Sequence, residues 1–214
     1  EKKITKKTKA IICPHIYGQM TNMTKLIKIK KKHKLFLIED CAEALGSFFK
    51  SKHAGKYSDI STFSFYGSKT ITTGEGGMLC SDNKSLITKA IKIKLQGISS
   101  KKLSYWHDVI GYNYKMTNIC AAIGLSQLET IKKILQDKRK IFLYYKKHLE
   151  NCPLKFQVEN HNSINSFWLV GCLTTNKRTR DQLMKYLKMK KIETRPGFYP
   201  INTMPMYKNY NNKK

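Results

Sequence analysis

The sequence predicts an α/β fold with a mixed, mostly parallel sheet between helices. Two observations at its start give this prediction. Short apolar runs at 9–13 and 35–38 are typical of buried parallel strands. The segment between them, 21–33, has apolar residues at helical spacing and opens with Thr21 and Asn22, which are cap-type residues. A helix between two such strands forms a βαβ unit, and the same alternation continues along the chain.

The next elements follow in the same order. Residues 60–66 alternate apolar and small polar side chains as a strand does, a glycine-rich loop covers 67–77, and 78–80 form a further strand. We expect Asp82 to cap a helix over 84–95. From Thr117 the apolar spacing stays helical for about 30 residues, which predicts one long helix.

A second, smaller domain is predicted beyond that helix. The chain resumes with a strand over 166–173, an amphipathic helix over 180–190 and a short extended segment at 192–194. We interpret residues 1–135 as part of a large domain and 136–214 as the start of a small C-terminal α/β domain. The polar tail at 208–214 is expected to fray.

The charge of the chain is strongly positive. Its 214 residues include 41 Lys and Arg against 14 Asp and Glu, a net charge of +27. Only four of these basic residues are Arg, the better side chain for phosphates and base edges, so we attribute most of the charge to compositional bias. An anionic small-molecule site and nucleic-acid binding stay as alternatives, with nucleic acid the less favoured.

The remaining composition predicts a cytoplasmic protein. No apolar run approaches the roughly 18 residues of a bilayer span, and the first residues lack the apolar core of an export signal. The six cysteines are scattered without a CxxC pair, which argues against a zinc site and a disulfide framework. Residue 1 is Glu and a strand follows soon after, so we expect the chain to start inside a longer protein.

Lys69 is the first candidate for chemistry. It is the only basic residue between Lys56 and Lys84 in a chain otherwise rich in lysine. It follows a predicted strand and precedes a glycine-rich loop, and ligands of open α/β sheets bind at such carboxyl ends. A lysine amine shielded from water there can form a Schiff base with a carbonyl. The alternative interpretation is a lysine on a surface loop.

Two further residues would complete a pyridoxal phosphate site. That cofactor requires a lysine, an acid for its pyridine nitrogen and donors for its phosphate. Asp40 ends a predicted apolar strand and Ser64 lies near the end of the strand before Lys69, so these three residues could fill the roles. Alternatively, Asp40 caps a turn and Ser64 is an ordinary strand residue.

Five motifs, in order along nearly the whole chain, resemble one family. They are HIYGQ at 15–19, IEDCAEALGS at 38–47, DISTFSFYGSKTITTGEGGML at 59–79, YWHDVIGYNYKMTNICAAIGLSQLE at 105–129 and RPGFYPINTMPMY at 195–207. The chain is identified on these motifs as a member of the DegT/DnrJ/EryC1/StrS family of sugar-nucleotide aminotransferases. It looks most like the perosamine and viosamine synthase branch. The resemblance implies fold type I, the aspartate aminotransferase fold, with part of the family's N-terminal region missing from this chain.

The resemblance also implies roles for individual residues. Lys69 would hold pyridoxal phosphate covalently and act as nucleophile and general acid/base. Asp40 would keep the pyridine nitrogen protonated, and Glu43 would lie beside the ring, where many members carry Gln. Ser64 would bind the phosphate, and Asn113 would reach it across the interface of a homodimer with shared active sites.

The implied reaction is a transamination in two halves. L-Glutamate gives its amino group to the cofactor, which passes through the pyridoxamine form, and C4 of a nucleotide-linked 4-keto-6-deoxyhexose receives it. Lys115, where relatives usually have Arg, and Arg195 would bind substrate. The product is a 4-amino-4,6-dideoxyhexose of the perosamine or viosamine type, and the nucleotide is GDP, UDP or dTDP.

Two alternatives stay open beside this reaction. One is a pyridoxamine-dependent sugar dehydratase of the same family, although those members carry His in place of the lysine. The other is a non-catalytic relative or a basic nucleic-acid-binding protein, which the charge permits.

Overall fold

A computed structural model of the chain describes residues 1–98 and 105–207. The predicted fraying of 208–214 lies outside the described residues. Contacts within the chain divide it into two compact units, one formed by 1–147 with 158–170 and the other by 148–157 with 171–214. The predicted domain boundary at 135/136 falls within a helix of the first unit, and the limits of the two domains stay a prediction.

The first unit is built around a four-stranded sheet. Its strands are β1 (Ala10–Pro14), β2 (Phe36–Asp40), β5 (Ile60–Ser64) and β6 (Gly77–Cys80), in the order β1-β2-β5-β6. The first three run parallel, and β6 is antiparallel to β5. In a second sheet, the short strand β3 (Phe48–Phe49) lies between β4 (Lys52–His53) and β8 (Ser163–Ile164) and is antiparallel to both. The predicted α/β fold with a mostly parallel sheet is confirmed.

Helix α1 (Met23–His33) completes the predicted βαβ unit. Its cap is Asn22, whose side chain accepts a hydrogen bond from the amide of Lys25 at 3.1 Å. The parallel pairing of β1 and β2 is confirmed, but their burial is one-sided. Ile12 is 68% exposed and Phe36 62% exposed, because they lie on the face that turns away from the core. The buried side chains that pack together as the core of this unit are Cys13, Met20, Met23, Leu37, Cys41, Ala44, Phe49 and Ala54.

Two predictions about the helices of the first unit were wrong. Helix α2 (Lys84–Lys94) is capped by Asn83 rather than Asp82, since the Asn83 side chain accepts hydrogen bonds from the amides of Ser85 and Leu86. The single long helix is two helices, α3 (Asn118–Glu129) and α4 (Ile131–His148). Thr130 separates them, because both its amide and its hydroxyl donate to the carbonyl of Gln127 and close the tighter turn typical of a helix end.

The second unit is small and contains β7 (Lys155–Phe156), β9 (Cys172–Leu173) and α5 (Lys177–Met189). The predicted strand at 166–173 shrinks to β9, because Phe167 adopts a left-handed backbone (φ 48°) and donates its amide to the side chain of Asn165. Helix α5 begins before 180 because the Asn176 side chain accepts the Thr179 amide. Residues 192–194 form no strand.

None of the helices within 1–98 and 105–207 combines the length and apolar character that crossing a bilayer requires.

Candidate active site

The carboxyl ends of β2 and β5 bring two predicted site residues to one edge of the sheet. Asp40 is the last residue of β2 and lies opposite Thr62, while Ser64 ends β5. The Asp40 carboxylate accepts the amide of Ala42 at 3.1 Å, so it also caps the turn that follows its strand. The Ser64 hydroxyl accepts the amide of Tyr66 at 3.4 Å. Both side chains are half-buried at the edge where ligands of α/β sheets bind.

The lysine loop after β5 folds back on itself. The Phe65 amide donates to the Gly76 carbonyl and the Thr73 amide donates to the Phe65 carbonyl, both at 2.9 Å. Within the loop, the Lys69 amide donates to the Tyr66 carbonyl. This turn leaves the Lys69 side chain only 15% exposed. The loop therefore presents a largely buried amine just beyond the end of β5.

Glu43 is the charged partner of that amine. Its Oε1 lies 4.0 Å from Lys69 Nζ, and its Oε2 accepts the backbone amide of Tyr17 at 2.7 Å. Burial raises the pKa of Glu43, as does the charge of Asp40, whereas the Tyr17 hydrogen bond and the Lys69 charge oppose the rise. Tyr17 has a left-handed backbone (φ 53°), which turns its amide toward the carboxylate. The structure thus brings Lys69, Glu43 and the end of β2 together.

Trp168 is a site residue that the sequence analysis missed. Its ring centroid lies 4.2 Å from Lys69 Nζ, and its indole N–H donates to the carbonyl of Ser68 at 2.8 Å. Tyr17 stacks on the same ring at 6.1 Å, and Lys138 Nζ donates to the Trp168 carbonyl at 3.2 Å. Trp168 is buried, and 100 residues separate it from the loop it contacts. An aromatic residue inside an apolar run gave no signal of this contact.

Gly18 lets the two distant segments approach each other. Its φ of +90° is a conformation that side-chain-bearing residues rarely adopt. A Cβ at this position would lie 2.5 Å from Ser166 Oγ and 2.6 Å from Asn165 Oδ1. The Gly18 carbonyl instead accepts the hydroxyl of Ser47 at 2.6 Å. The close packing fixes the backbone next to Tyr17, and with it the amide that binds Glu43.

A buried ion pair lies directly behind Asp40. Glu39 points into the core, where its oxygens accept His15 Nε2 at 2.9 Å and the amides of Gly55 and Tyr57 at 3.0 Å each. Burial opposes the charge on both side chains. Hydrogen bonds with Cys13, Cys41 and Glu39 nevertheless raise the pKa of His15 to about 11, and the His15 and backbone hydrogen bonds lower the pKa of Glu39.

Together with Cys41, this pair has the side-chain types that bind metal ions. His15, Glu39 and Cys41 place ligand-type atoms within 4.8 Å of one another. The Glu39 oxygens, however, already accept three hydrogen bonds, so the cluster is explained as a structural support of β2.

The other three predicted site residues lie at the surface. Asn113 pairs through its backbone with Leu95, and Lys115 is exposed. Arg195 belongs to the second compact unit, where it forms an exposed ion pair with Glu193 at 3.0 Å. Their roles in binding cofactor or substrate stay predictions.

The residues at the sheet edge fit pyridoxal phosphate by their chemistry. The cofactor needs an amine to hold its aldehyde and a carboxylate to pair with its ring nitrogen. Lys69 supplies an amine that is shielded from most of the solvent, and Asp40 supplies a carboxylate on the adjoining strand end.

Comparison with known proteins identifies the family. The model of the DegT/DnrJ/EryC1/StrS aminotransferase family matches residues 1–214. The chain belongs to this family. The family match confirms the predicted family, and the solved structures described below confirm the fold. Members of this family use pyridoxal phosphate, which is the predicted cofactor. The likeness to perosamine synthases is also found among individual relatives.

Two relatives and two solved structures illustrate the match. The chain is 50% identical to a GDP-perosamine synthase of Escherichia coli O157:H7 over 207 residues, covering 97% of this chain and 56% of that protein. It is 46% identical to the Vibrio cholerae GDP-perosamine synthase over 209 residues, covering 97% and 57%. The Helicobacter pylori aminotransferase PseC, involved in pseudaminic acid biosynthesis, matches with TM-score 0.92 at 27% identity, covering 100% and 58%.

The second structure is a putative sugar aminotransferase of Streptococcus pneumoniae in its pyridoxal phosphate form. It matches with TM-score 0.89 at 24% identity, covering 97% of this chain and 59% of that chain, and it supports the fold. This member of the DegT family thus spans less than two thirds of the length of each of these four proteins.

Proposed function

We propose that the protein is a pyridoxal phosphate-dependent aminotransferase that moves the amino group of L-glutamate to a nucleotide-linked sugar. The observation that carries this proposal is the position of Lys69. Its side chain is largely buried beside Glu43, in the loop that follows β5, and Asp40 ends the neighbouring strand β2. An amine at this position can act as a nucleophile toward the aldehyde of the cofactor.

Each residue of the sheet edge has a task in this proposal. Bound pyridoxal phosphate supplies an electron sink that makes the proton on the carbon next to nitrogen removable. Asp40 holds a proton on the ring nitrogen, and Ser64 with Asn113 binds the phosphate. Lys69 holds the cofactor at rest, then carries the proton between the amino-acid carbon and the cofactor carbon as general base and general acid.

The acceptor is proposed to be a nucleotide-linked 4-keto-6-deoxyhexose, aminated at C4 to a 4-amino-4,6-dideoxyhexose. The names of the relatives at 50% and 46% identity favour perosamine and a GDP-linked sugar. Lys115 and Arg195 are the candidates for contacts with carboxylate or phosphate groups of the substrates, since both are exposed cations.

We further propose that the enzyme works as a homodimer. Helix α3 has no buried residue although its composition is apolar, and Ile119 is 75%, Leu125 60% and Leu128 50% exposed. Exposed apolar side chains around one helix indicate a protein-protein contact. A second copy of the chain would cover this helix, and Asn113 lies shortly before it.

The presence of Lys69 also separates the transaminase from the dehydratase alternative, because the dehydratases carry His at this position. The non-catalytic and nucleic-acid-binding alternatives rest on the net charge of +27 alone. They predict no covalent binding of the cofactor.

An absorption spectrum with pyridoxal phosphate tests the proposal. The full chain that the gene encodes is mixed with the cofactor, beside Lys69→Ala and the control Lys84→Ala, an exposed lysine at the start of α2. A visible band in the wild type and the control, absent in Lys69→Ala and lost when L-glutamate is added, is the expected result. The absence of a visible band in the wild type would refute the aminotransferase hypothesis.

A further inference from the structure

Glu43 and Trp168 enclose the Lys69 amine from two sides. The carboxylate oxygen Oε1 lies 4.0 Å from Nζ, and the indole ring centroid lies 4.2 Å from it. An anion and the face of an indole both attract an ammonium group more strongly than a neutral amine. The Lys69 and Glu43 side chains are only 15% and 11% exposed, so solvent screens this attraction less than at the surface.

The enclosure is built by contacts that fix both partners. Glu43 is oriented by the amide of Tyr17 at 2.7 Å. Trp168 is oriented by its indole N–H bond to Ser68 at 2.8 Å and by the Tyr17 ring stacked on it. Ser68 directly precedes Lys69, so the ring is anchored to the same turn that presents the amine. The geometry is that of a receptor for the end of one side chain.

We propose that Glu43 and Trp168 are positioning residues that hold the Lys69 ammonium group, both in the cofactor-free protein and during turnover once Lys69 has taken up the proton of the amino-acid carbon. This inference rests on the proposed function, which requires Lys69 to leave the cofactor when the amino donor binds and to return at the end of the turnover. Held between carboxylate and ring, the ammonium group stays in place until it gives up that proton. From the family resemblance, Glu43 is expected only to lie beside the cofactor ring, and no role is expected for Trp168.

The charged groups around this enclosure are few. Asp40 lies at the end of β2, Glu43 in the turn after it, Lys69 in the loop after β5, and Lys138 on α4 binds the Trp168 carbonyl from the other side. Among the described residues, Glu43 is the acidic side chain that lies within ion-pair distance of Lys69. Neutralising Glu43 therefore removes the main electrostatic hold on the ammonium group.

The test uses the full chain without cofactor and measures how fast pyridoxal phosphate attaches to Lys69, from the rise of the visible band. The measurement is made at about pH 8. The variants are Glu43→Gln, Trp168→Leu and Trp168→Phe, with Glu150→Gln and Trp106→Leu as matched controls at exposed positions. Both Trp168 variants lose the bond to Ser68, but only Trp168→Phe retains an aromatic face.

We expect attachment to be about tenfold faster in Glu43→Gln and about fivefold faster in Trp168→Leu, because attack on the aldehyde requires the Lys69 amine to leave the carboxylate and the ring that attract it. Trp168→Phe stays within about threefold of wild type. The loss of the visible band on adding saturating L-glutamate slows by about tenfold in Glu43→Gln, while the L-glutamate concentration for half the maximal rate changes less than about threefold.

An unchanged or slower attachment in Glu43→Gln overturns the proposal, and so does a Trp168→Leu rate equal to that of Trp168→Phe. Should Trp168→Leu fail to fold, Glu43→Gln still decides. A wild-type protein that forms no band at all refutes the proposed function instead, so the two failures are distinct.

Discussion

The buried pair His15–Glu39 gives the sharpest prediction about stability. Replacing Glu39 by Gln retains the shape but removes the charge, and the amide nitrogen of Gln cannot accept a hydrogen bond. Oε2 accepts the amide of Tyr57, and Oε1 accepts both the Gly55 amide and His15 Nε2. In either orientation of the Gln amide, therefore, a donor faces a donor inside the core.

The expected cost is about 3–5 kcal/mol of unfolding free energy, since the change leaves a buried charge on His15 without its partner. Urea denaturation at pH 6 measures it. The control is Asp137→Asn, which breaks an exposed pair with Lys140 at 3.4 Å and is expected to cost less than about 1 kcal/mol. A cost below about 1 kcal/mol for Glu39→Gln would refute the reasoning.

The same pair predicts a pH dependence. The pKa of His15 is raised from 6.5 to about 11, so its contribution is complete below about pH 6.5 and is lost as the pH rises toward about 11. The pKa of Glu39 is lowered from 4.5, so its contribution is present above about pH 4.5 and is lost in acid. The difference between wild type and Glu39→Gln should shrink from pH 6 to pH 9 by at most about 1.4 kcal/mol per pH unit. An equal difference at both pH values would contradict this assignment.

Two further predictions test the helices. Asn83→Ala should lower the unfolding free energy by about 1 kcal/mol while Asp82→Ala leaves it within about 0.5 kcal/mol, because only the Asn83 side chain accepts hydrogen bonds from the first turn of α2. Urea denaturation decides, and equal losses would contradict the assigned cap. Leu125→Asp should shift the protein toward monomer in analytical ultracentrifugation, because it puts a charge on the exposed apolar surface of α3. Lys146→Asp on α4 is the control, and an unchanged oligomeric state in Leu125→Asp would count against α3 as the interface.

Local patterns account for what the sequence could predict. The strands β1 and β2 carry apolar runs, β5 alternates apolar and small polar side chains, and a lysine that is the only basic residue in a stretch of 27 residues marks the loop after β5. Asp40 was predictable because it is the first residue that can reach the edge after the apolar run of β2. These features depend on neighbours in sequence, where propensity and spacing act directly.

Long-range packing decided the rest. The apolar run at 166–173 has the composition of a strand, but Phe167 stacks on Phe142 at 3.9 Å and Trp168 packs on the lysine loop, so the segment stays irregular. The break at Thr130 is hidden because Thr fits the helical spacing while its hydroxyl turns back to Gln127. The enclosure of Lys69 by Trp168 depends on a pairing 100 residues apart, which no local window contains.

That distance has a consequence for synthesis on the ribosome. The strand and loop that carry Lys69 emerge early, but the indole that covers the amine is translated 100 residues after Ser68. Until then the indole cannot shield the Lys69 amine from water. A nascent chain stalled before residue 168 would display a reactive amine without its cover, and closing so long a loop is an entropically costly late step in folding. Since Trp168 lies in the last segment of the first compact unit, the amine is covered only after nearly all of that unit has been translated.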